Sequence, residues 1–541
     1  MKNLKKNNSS TLNRRQFVKA LGAGAASITI GGCSNLLQTK NAAAEKPNII
    51  LIMADDMGYS DLGCYGSQID TPNLNRLAYN GLRFTQFYNT ARCCPTRASL
   101  LTGLYPHQAG MGAMVSHKPG DRPPGPYQGY LNNNCVTLAE VLKSAGYTTL
   151  MSGKWHVGEF RPHWPTDRGF DKYYGLISGA ANYFDFTKTK NTGLVRNFAI
   201  DDKPHIPPKE NFYLTDAITE NAVKFLDQNA QGQNPFFLYL AYTAPHWPLH
   251  ALPEDIAKYR GKYTEGWETL RHKRYKQMLK MGIIDKKYPL SPLNPDTMPW
   301  DDVPDKDLMD LKMAIYAAQI DRMDQGIGKV LDKLKQIGKD DNTLILFLSD
   351  NGACAEIGPL GYDWWKNGVP PGGVNSFQSY GLSWANASNT PLRMFKKYTH
   401  EGGIATPLIA YWPKVIKQKG KITRQPGHII DIMATLCDIS GAKYPDTYRQ
   451  NKIKPLEGKP LTPIFEGKKR EPHEYLFFEH IGNRAVRKGK WKLVAGKNQP
   501  WQLYDLEADR TELKNIIDKH PNIANNLISA YKKWAKNTGV K

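Results

Sequence analysis

Four short apolar runs, each breaking off into polar residues, set the rhythm of the chain. Residues 48–54 end at Asp55-Asp56, 148–151 at Gly153-Lys154-Trp155-His156, 236–242 at Pro245-His246, and 343–349 at Asp350-Asn351-Gly352. Uninterrupted apolarity over so few residues predicts strands buried on both faces. Between them, 137–144, 215–228 and 312–337 carry apolar positions at helical spacing. Strand and helix alternate, which predicts an α/β fold with a large mixed, mostly parallel sheet flanked by helices. A further apolar run at 406–412 and a helical pattern at 428–439 read as the last unit of that sheet. Residues 475–478, 484–494 and 501–506 alternate like antiparallel strands before a closing helix at 522–536, a smaller C-terminal domain. The expected division is therefore a leading segment at 1–46, a large α/β domain at 47–442, a Pro- and Lys-rich connector at 443–470, and a C-terminal subdomain at 471–541. The stretch 247–310 has no strand character and reads as a basic insertion, either rimming the site or forming a surface excursion.

Composition narrows the class. The chain has 541 residues, 40% of them hydrophobic, enough for a large core. No run reaches the roughly 18 apolar residues of a spanning helix. Net charge is +22, of which residues 1–46 carry +7. The remaining excess either steers an anionic substrate or decorates a solvated surface. It is spread along the chain with no reading motif, so nucleic acid is not expected as a partner. Asn13-Arg14-Arg15-Gln16-Phe17 followed by a weakly apolar run matches a twin-arginine signal, which implies the twin-arginine export machinery as a partner and a periplasmic or cell-surface location. Cleavage falls either after Ala44 or before Cys33, and only the second would lipidate Cys33 and tie the protein to a membrane. Seven cysteines without a Cys-x-x-Cys exclude a disulfide scaffold and a zinc ribbon.

In open α/β sheets, functional groups gather beyond the carboxyl ends of the strands. Here Asp55, Asp56, Asp350 and Asn351 stand at two such ends, an oxygen-only donor set that suits Ca²⁺ or Mg²⁺ better than zinc. Singly, each is an ordinary turn former. Cys93-Cys94-Pro95-Thr96-Arg97 opens a predicted helix with Pro95 at the first position, which puts Cys93 near the positive end of the helix dipole.

With Leu100-Leu101-Thr102-Gly103 following, this segment resembles the sulfatases of the alkaline-phosphatase superfamily, whose signature is Cys-x-Pro-x-Arg. The resemblance extends through Asp55-Asp56-Met57-Gly58-Tyr59, Gly153-Lys154-Trp155-His156-Val157-Gly158, Ala244-Pro245-His246-Trp247-Pro248, Ser349-Asp350-Asn351-Gly352 and Glu401-Gly402-Gly403. It implies hydrolysis of sulfate esters, with Cys93 oxidised by a formylglycine-generating enzyme to formylglycine, whose hydrated form is a geminal diol. It further implies one Ca²⁺ held by Asp55, Asp56, Asp350, Asn351 and residue 93. Asp350 is then also placed to take a proton from the attacking diol. Arg97 and Lys154 are expected to stabilise charge, His156 to take the proton of the second hydroxyl as sulfate leaves, and His246 and Lys396 to bind sulfate and assist the departing alcohol. Lys396 is preferred over Lys397 on its spacing of five residues before Glu401 alone. Cys94 is expected to be a tolerated bystander.

The stretch from His107 to Tyr130 resembles the arylsulfatase branch, which implies a small aryl sulfate or a terminal sulfated sugar as substrate. His107, Glu479, His480 and Asn483 are candidate rim residues, or else cap strands and join the contact between domains. Two rival readings fit the same residues: a phosphonate or phosphodiester hydrolase sharing the signature, and a glycan receptor in which Cys93 stays unmodified.

Overall fold

An eleven-stranded mixed sheet is built from β1 (Asn48–Ala54), β2 (Leu82–Tyr88), β3 (Thr148–Gly153), β4 (Lys172–Leu176), β5 (Phe198–Ile200), β6 (Lys203–Pro204), β7 (Phe236–Ala241), β8 (Thr343–Ser349), β9 (Ala405–Tyr411), β10 (Lys421–Thr423) and β11 (Gly427–His428). The order is β10-β2-β9-β8-β1-β7-β3-β4-β5-β6, with β11 beside β2. The structure is a computed structural model describing residues 45–190 and 196–541. The twin-arginine motif, Cys33 and both cleavage points lie outside the described residues. No helix among the described residues is long and apolar enough to cross a membrane.

The centre of the sheet, β8-β1-β7-β3-β4, is parallel. Every residue of β1, β7 and β8 is buried, because helices cover both faces. Register then decides which loops meet. Ala54 stands opposite Ser349, Met53 opposite Ala241, and Gly153 opposite Ala241, so the residues that follow these strands emerge at one edge. At about 4.8 Å per strand, the span from β8 to β3 is only about 14 Å. Gly153 makes the turn to Lys154 feasible: its φ is +119°, and a Cβ there would lie 1.9 Å from the Ala241 carbonyl oxygen. β9, expected as one more unit of the sheet, runs antiparallel to both β2 and β8.

Helix starts follow their caps. Thr137 closes a capping box with Glu140 ahead of Leu138–Ser144. The long helix begins earlier than its apolar period suggests, at Lys306, where Asp305 accepts from the Leu308 N–H. The insertion at 247–310 is no surface excursion, and its first residue touches the site, the Trp247 carbonyl lying 2.5 Å from His246 Nδ1. It carries the helices Pro253–Ala257 and Gly266–Lys280, and the second packs Trp267 and Met278 into the core while Arg274 pairs with buried Asp61 at 2.6 Å.

After a two-stranded hairpin, β12 (Thr447–Tyr448) and β13 (Asn451–Lys452), comes an antiparallel sheet of β14 (Leu476–His480), β15 (Asn483–Lys488), β16 (Trp491–Ala495) and β17 (Gln502–Asp505), with the helix Pro521–Thr538 against it. Two buried ionic clusters fasten this sheet to the large one. In the first, Lys492 lies between Glu401, at 2.9 Å, and Glu512, at 2.8 Å. In the second, Asp431 accepts from the His428 and Lys459 backbone N–H groups and pairs with Arg470 at 2.9 Å and His473 at 2.6 Å.

Burial would raise the Asp431 carboxyl, but His473 and then Arg470 and the Lys459 N–H hold it down to about 2. A depressed folded value stabilises the native state fully above the ordinary Asp range of about 4 and less as pH falls toward 2. Asp431→Asn should therefore destabilise by about 3 kcal/mol near neutral pH, since buried Arg470 loses its carboxylate partner. Thermal melts should show the gap from wild type narrowing as pH is lowered from about 4 toward 2; a gap independent of pH would contradict the assignment.

Candidate active site

The edge beyond β1 and β8 gathers three carboxylates and an amide, all at most 1% exposed: Asp55, Asp56, Asp350 and Asn351. The Asp56 N–H donates to Asp350 Oδ1 at 3.2 Å, and Asn351 Nδ2 donates to Asp56 Oδ1 at 2.7 Å. Asp56 sits at φ 65°, a left-handed conformation that an L residue keeps only where its surroundings impose it. Tyr316 helps to impose it: its hydroxyl lies between the Asp56 carbonyl, at 3.4 Å, and Asp61, at 2.7 Å, which Arg274 also holds.

Three cations converge on these acids. Lys154 Nζ is 2.5 Å from Asp55, Lys396 Nζ 2.7 Å from Asp56, and the Arg97 guanidinium 2.8 Å from Asp350. Arg97 also donates to the Lys154 carbonyl at 3.0 Å and lies 3.8 Å from Asp55. Lys397, the neighbour of Lys396, turns instead to Glu356. His246 Nδ1 is 2.5 Å from the Trp247 carbonyl, and its Nε2 is 3.4 Å from Asp56 Oδ2. The Tyr183 hydroxyl pins this loop through the Thr243 and His246 carbonyls.

Cys93 is the first residue of the helix Cys93–Thr102, all of whose residues are buried. Pro95 is third rather than first, still within the turn where a missing N–H costs no helical bond. Arg97, one turn along, therefore lies on the same side as Cys93. Cys94 is not a bystander: its Sγ lies 3.3 Å from His156 Nε2. His156, at φ 58°, turns back toward the helix start, and Cys93, Cys94 and His156 cluster closely.

Electrostatics follow from burial. It pushes Asp350 up to about 8, with Asp55 adding to the rise and Arg97 opposing it. It pushes His156 down to about 3 and His246 down to about 4, so both imidazoles are neutral. The Cys93 thiol is lowered well below its ordinary value, first by its hydrogen bond with Cys94, then by Lys154 and His156 against the effect of burial. Asp55 Oδ1 and Asn351 Oδ1 are buried without a hydrogen-bond partner. Each such orphan costs about 1–3 kcal/mol. These unmatched oxygens, one carboxylate and one amide, lie with Asp56, Asp350 and the neighbouring His246, and so oxygen-rich a donor set fits a hard divalent cation. Asp55, Asp56, Asp350 and Asn351 are the residues that could hold one.

The four rim candidates separate. His107 and Glu479 bond each other at 2.7 Å, and Glu479 also accepts from the Gly482 N–H, so this pair braces the contact between the two sheets. Asn483 ties down its own hairpin through the His480 carbonyl and the Lys497 N–H. His480 is fully buried with both ring nitrogens unpartnered. It is pushed down to about 3 by burial and then Arg92, and lies close enough to Cys93 to sense its charge. Sequence reasoning missed the Asp61–Arg274–Tyr316 support, because no local pattern links residues more than two hundred positions apart.

Comparison with known proteins places this geometry. The sulfatase family model matches residues 47–442, and a model described as N-sulphoglucosamine sulphohydrolase, C-terminal, matches 393–536. An uncharacterized sulfatase of Schizosaccharomyces pombe is 36% identical, covering 93% of this chain and 95% of its own. An arylsulfatase of Klebsiella aerogenes is 35% identical, over 84% of this chain and 98% of its own. Among solved structures, Ps i-CgsB in complex with k-i-k-neocarrahexaose superposes with a TM-score of 0.67 at 29% identity, covering 91% of this chain and 93% of the other. The two matched segments together contain every residue named in the pocket, and the chain belongs to the sulfatase family, enzymes that hydrolyse sulfate esters.

Proposed function

We propose that the protein releases inorganic sulfate from an aryl sulfate or a sulfated sugar, using a formylglycine made from Cys93 beside a single Ca²⁺. The observation that carries this is the meeting, at one sheet edge, of the buried oxygen donors of β1 and β8 with the first residue of the Cys93–Thr102 helix. Oxidised to formylglycine and hydrated, residue 93 offers one oxygen for attack on sulfur and a second that lets the aldehyde reform. The bound cation supplies Lewis-acid polarisation of sulfate and nucleophile.

The rest is the work of side chains. Arg97 and Lys154, fixed at 0% exposure, present positive charge that is not screened by water where sulfate charge builds. Asp350, held against Arg97 at 2.8 Å, is placed to take the proton of the attacking hydroxyl in its ionised form. His156, kept neutral by burial and clustered with residue 93, is placed to take the second hydroxyl proton. His246 and Lys396 close the opposite side and serve the departing alcohol oxygen. Aryl and sugar substrates are supported by the likeness to the Klebsiella arylsulfatase, to an N-acetylgalactosamine-6-sulfatase of Rattus norvegicus at 29% identity, and to the carrahexaose complex. Export through the twin-arginine machinery to the periplasm or cell surface, after modification of residue 93 by a formylglycine-generating enzyme, fits Arg14-Arg15 and Cys93.

Two results are expected. The tryptic peptide containing residue 93 should be about 18 Da lighter than its cysteine form, the difference between thiol and aldehyde. Cys93→Ala should then lose at least about 10³-fold in kcat on nitrophenyl sulfate with an unchanged melting temperature. An unmodified peptide in a fully active sample would remove the nucleophile. Second, kcat/KM on nitrophenyl sulfate should exceed that on bis-nitrophenyl phosphate; a preference of several orders of magnitude for the phosphate diester would favour the phosphodiesterase reading instead.

A further inference from the structure

A cavity of about 600 Å³ opens between the loop at 393–400 and the turns of the C-terminal sheet at 481–483 and 496–502. Its volume is within the range of small-ligand sites. Three cations line it, Arg393, Lys397 and Lys497, and no carboxylate does among the described residues. Arg393 is preset: its Nη1 donates to the Glu512 carbonyl at 2.7 Å and to the Tyr504 hydroxyl at 3.3 Å. Lys497 stands exposed at the rim.

The remaining lining is mixed in a particular way. Gln499 offers an amide, the Asn483 and Gln502 amides being held within the C-terminal sheet, while Tyr398 and Ile481 expose apolar surface at 37% and 48%. His400 adds a hydrogen-bonding ring without charge, pushed down to about 3 by burial and by Lys492 and Arg393. Four non-glycine residues around the cavity adopt left-handed backbones: Met394, Lys397, Ile481 and Asn498. For β-branched Ile481 this is a costly conformation, and such outliers persist where the surroundings over-determine them.

The cavity adjoins the reaction centre. Lys397 lines it, follows Lys396 in the chain, and bonds through its N–H to the Ala91 carbonyl, two residues before Cys93. Ile481 follows His480, whose ring senses both Cys93 and Lys397. Cavity and reaction centre are thus joined along the chain at two steps, Lys396 to Lys397 and His480 to Ile481.

The geometry points to a second anion-binding subsite for a neighbouring sugar of the same substrate, one that carries its own sulfate or carboxylate. This inference rests on the sulfatase reading of the adjoining pocket. Lys497 and Arg393 meet the anionic group, with Lys397 beside them already paired with Glu356, Gln499 and His400 meet hydroxyls, and Tyr398 and Ile481 meet the apolar face of the ring. The preferred substrate is then a sulfated oligosaccharide with charge on adjacent units rather than an isolated aryl or monosaccharide ester.

The test uses the metal-loaded, converted enzyme and a fluorescent short dextran sulfate oligosaccharide, with neutral dextran as control. Lys497→Glu should weaken dextran sulfate binding about tenfold, while Lys532→Glu, an equal charge change on the exposed C-terminal helix, should change it less than about twofold. kcat/KM on nitrophenyl sulfate should stay within about twofold for both, since neither residue touches the reacting atoms. Equal weakening by the two variants, no effect of Lys497→Glu, or no preference of the wild type for sulfated over neutral dextran would overturn the subsite. Binding is read without turnover, so failure to hydrolyse nitrophenyl sulfate would count against the catalytic reading, whereas the binding measurements alone decide the subsite.

Discussion

Negative charge buried at one edge of a sheet is the constraint on which the structure depends. Asp55, Asp56 and Asp350 are removed from water by the same burial that makes β1 and β8 continuous apolar strands. Taking one such ion out of water costs several kcal/mol unless charge of opposite sign is fixed beside it. Lys154, Lys396 and Arg97 are that charge, delivered from two other loops and the Cys93–Thr102 helix. They balance the carboxylates in number yet leave Asp55 Oδ1 and Asn351 Oδ1 without partners, a mismatch that one small cation resolves. The cluster that stores this mismatch is also the one able to bind sulfate, because cations that can exchange a carboxylate for an incoming anion are already in place.

The supporting layers keep that cluster from relaxing. Gly153 turns Lys154 inward, Tyr316 and Arg274 hold the Asp56 loop through Asp61, and Tyr183 holds the His246 loop. Farther out, Glu401, Lys492 and Glu512 fasten the C-terminal sheet, so that His480 reaches the neighbourhood of residue 93 from a strand nearly four hundred positions away. The same attachment creates the basic cavity. Catalytic centre and cavity are thus joined along the chain, Lys396 to Lys397 on one side and His480 to Ile481 on the other.

Much of the centre is legible in the sequence because its chemistry sits where apolar runs stop. Four runs ending in Asp-Asp, Lys-Trp-His, Pro-His and Asp-Asn are a pattern that strand burial and the crevice rule together can interpret. What escapes has physical reasons. β2 carries Arg83, Thr85 and Gln86 among its apolar residues and so lacks the signature of a buried strand, although Arg83 is buried by donating to the Cys64 and Gly420 carbonyls. The insertion at 247–310 resembles surface because its charges include Arg274, whose partner Asp61 lies 213 positions away. Cys94 resembles a bystander because nothing in its own segment announces His156. Among the rim residues, spacing cannot tell His480, aimed inward, from His107 and Glu479, which satisfy each other.

The most direct measurement is the metal content of the desalted enzyme, read by inductively coupled plasma spectrometry beside Asp350→Ala. About one calcium per chain is expected in the wild type and a small fraction of that in the variant, since removing one carboxylate from so small an oxygen cage forfeits most of its affinity. A wild type that is active yet carries no divalent ion, or a variant that retains the full complement, would contradict the convergence of β1 and β8 on a single cation.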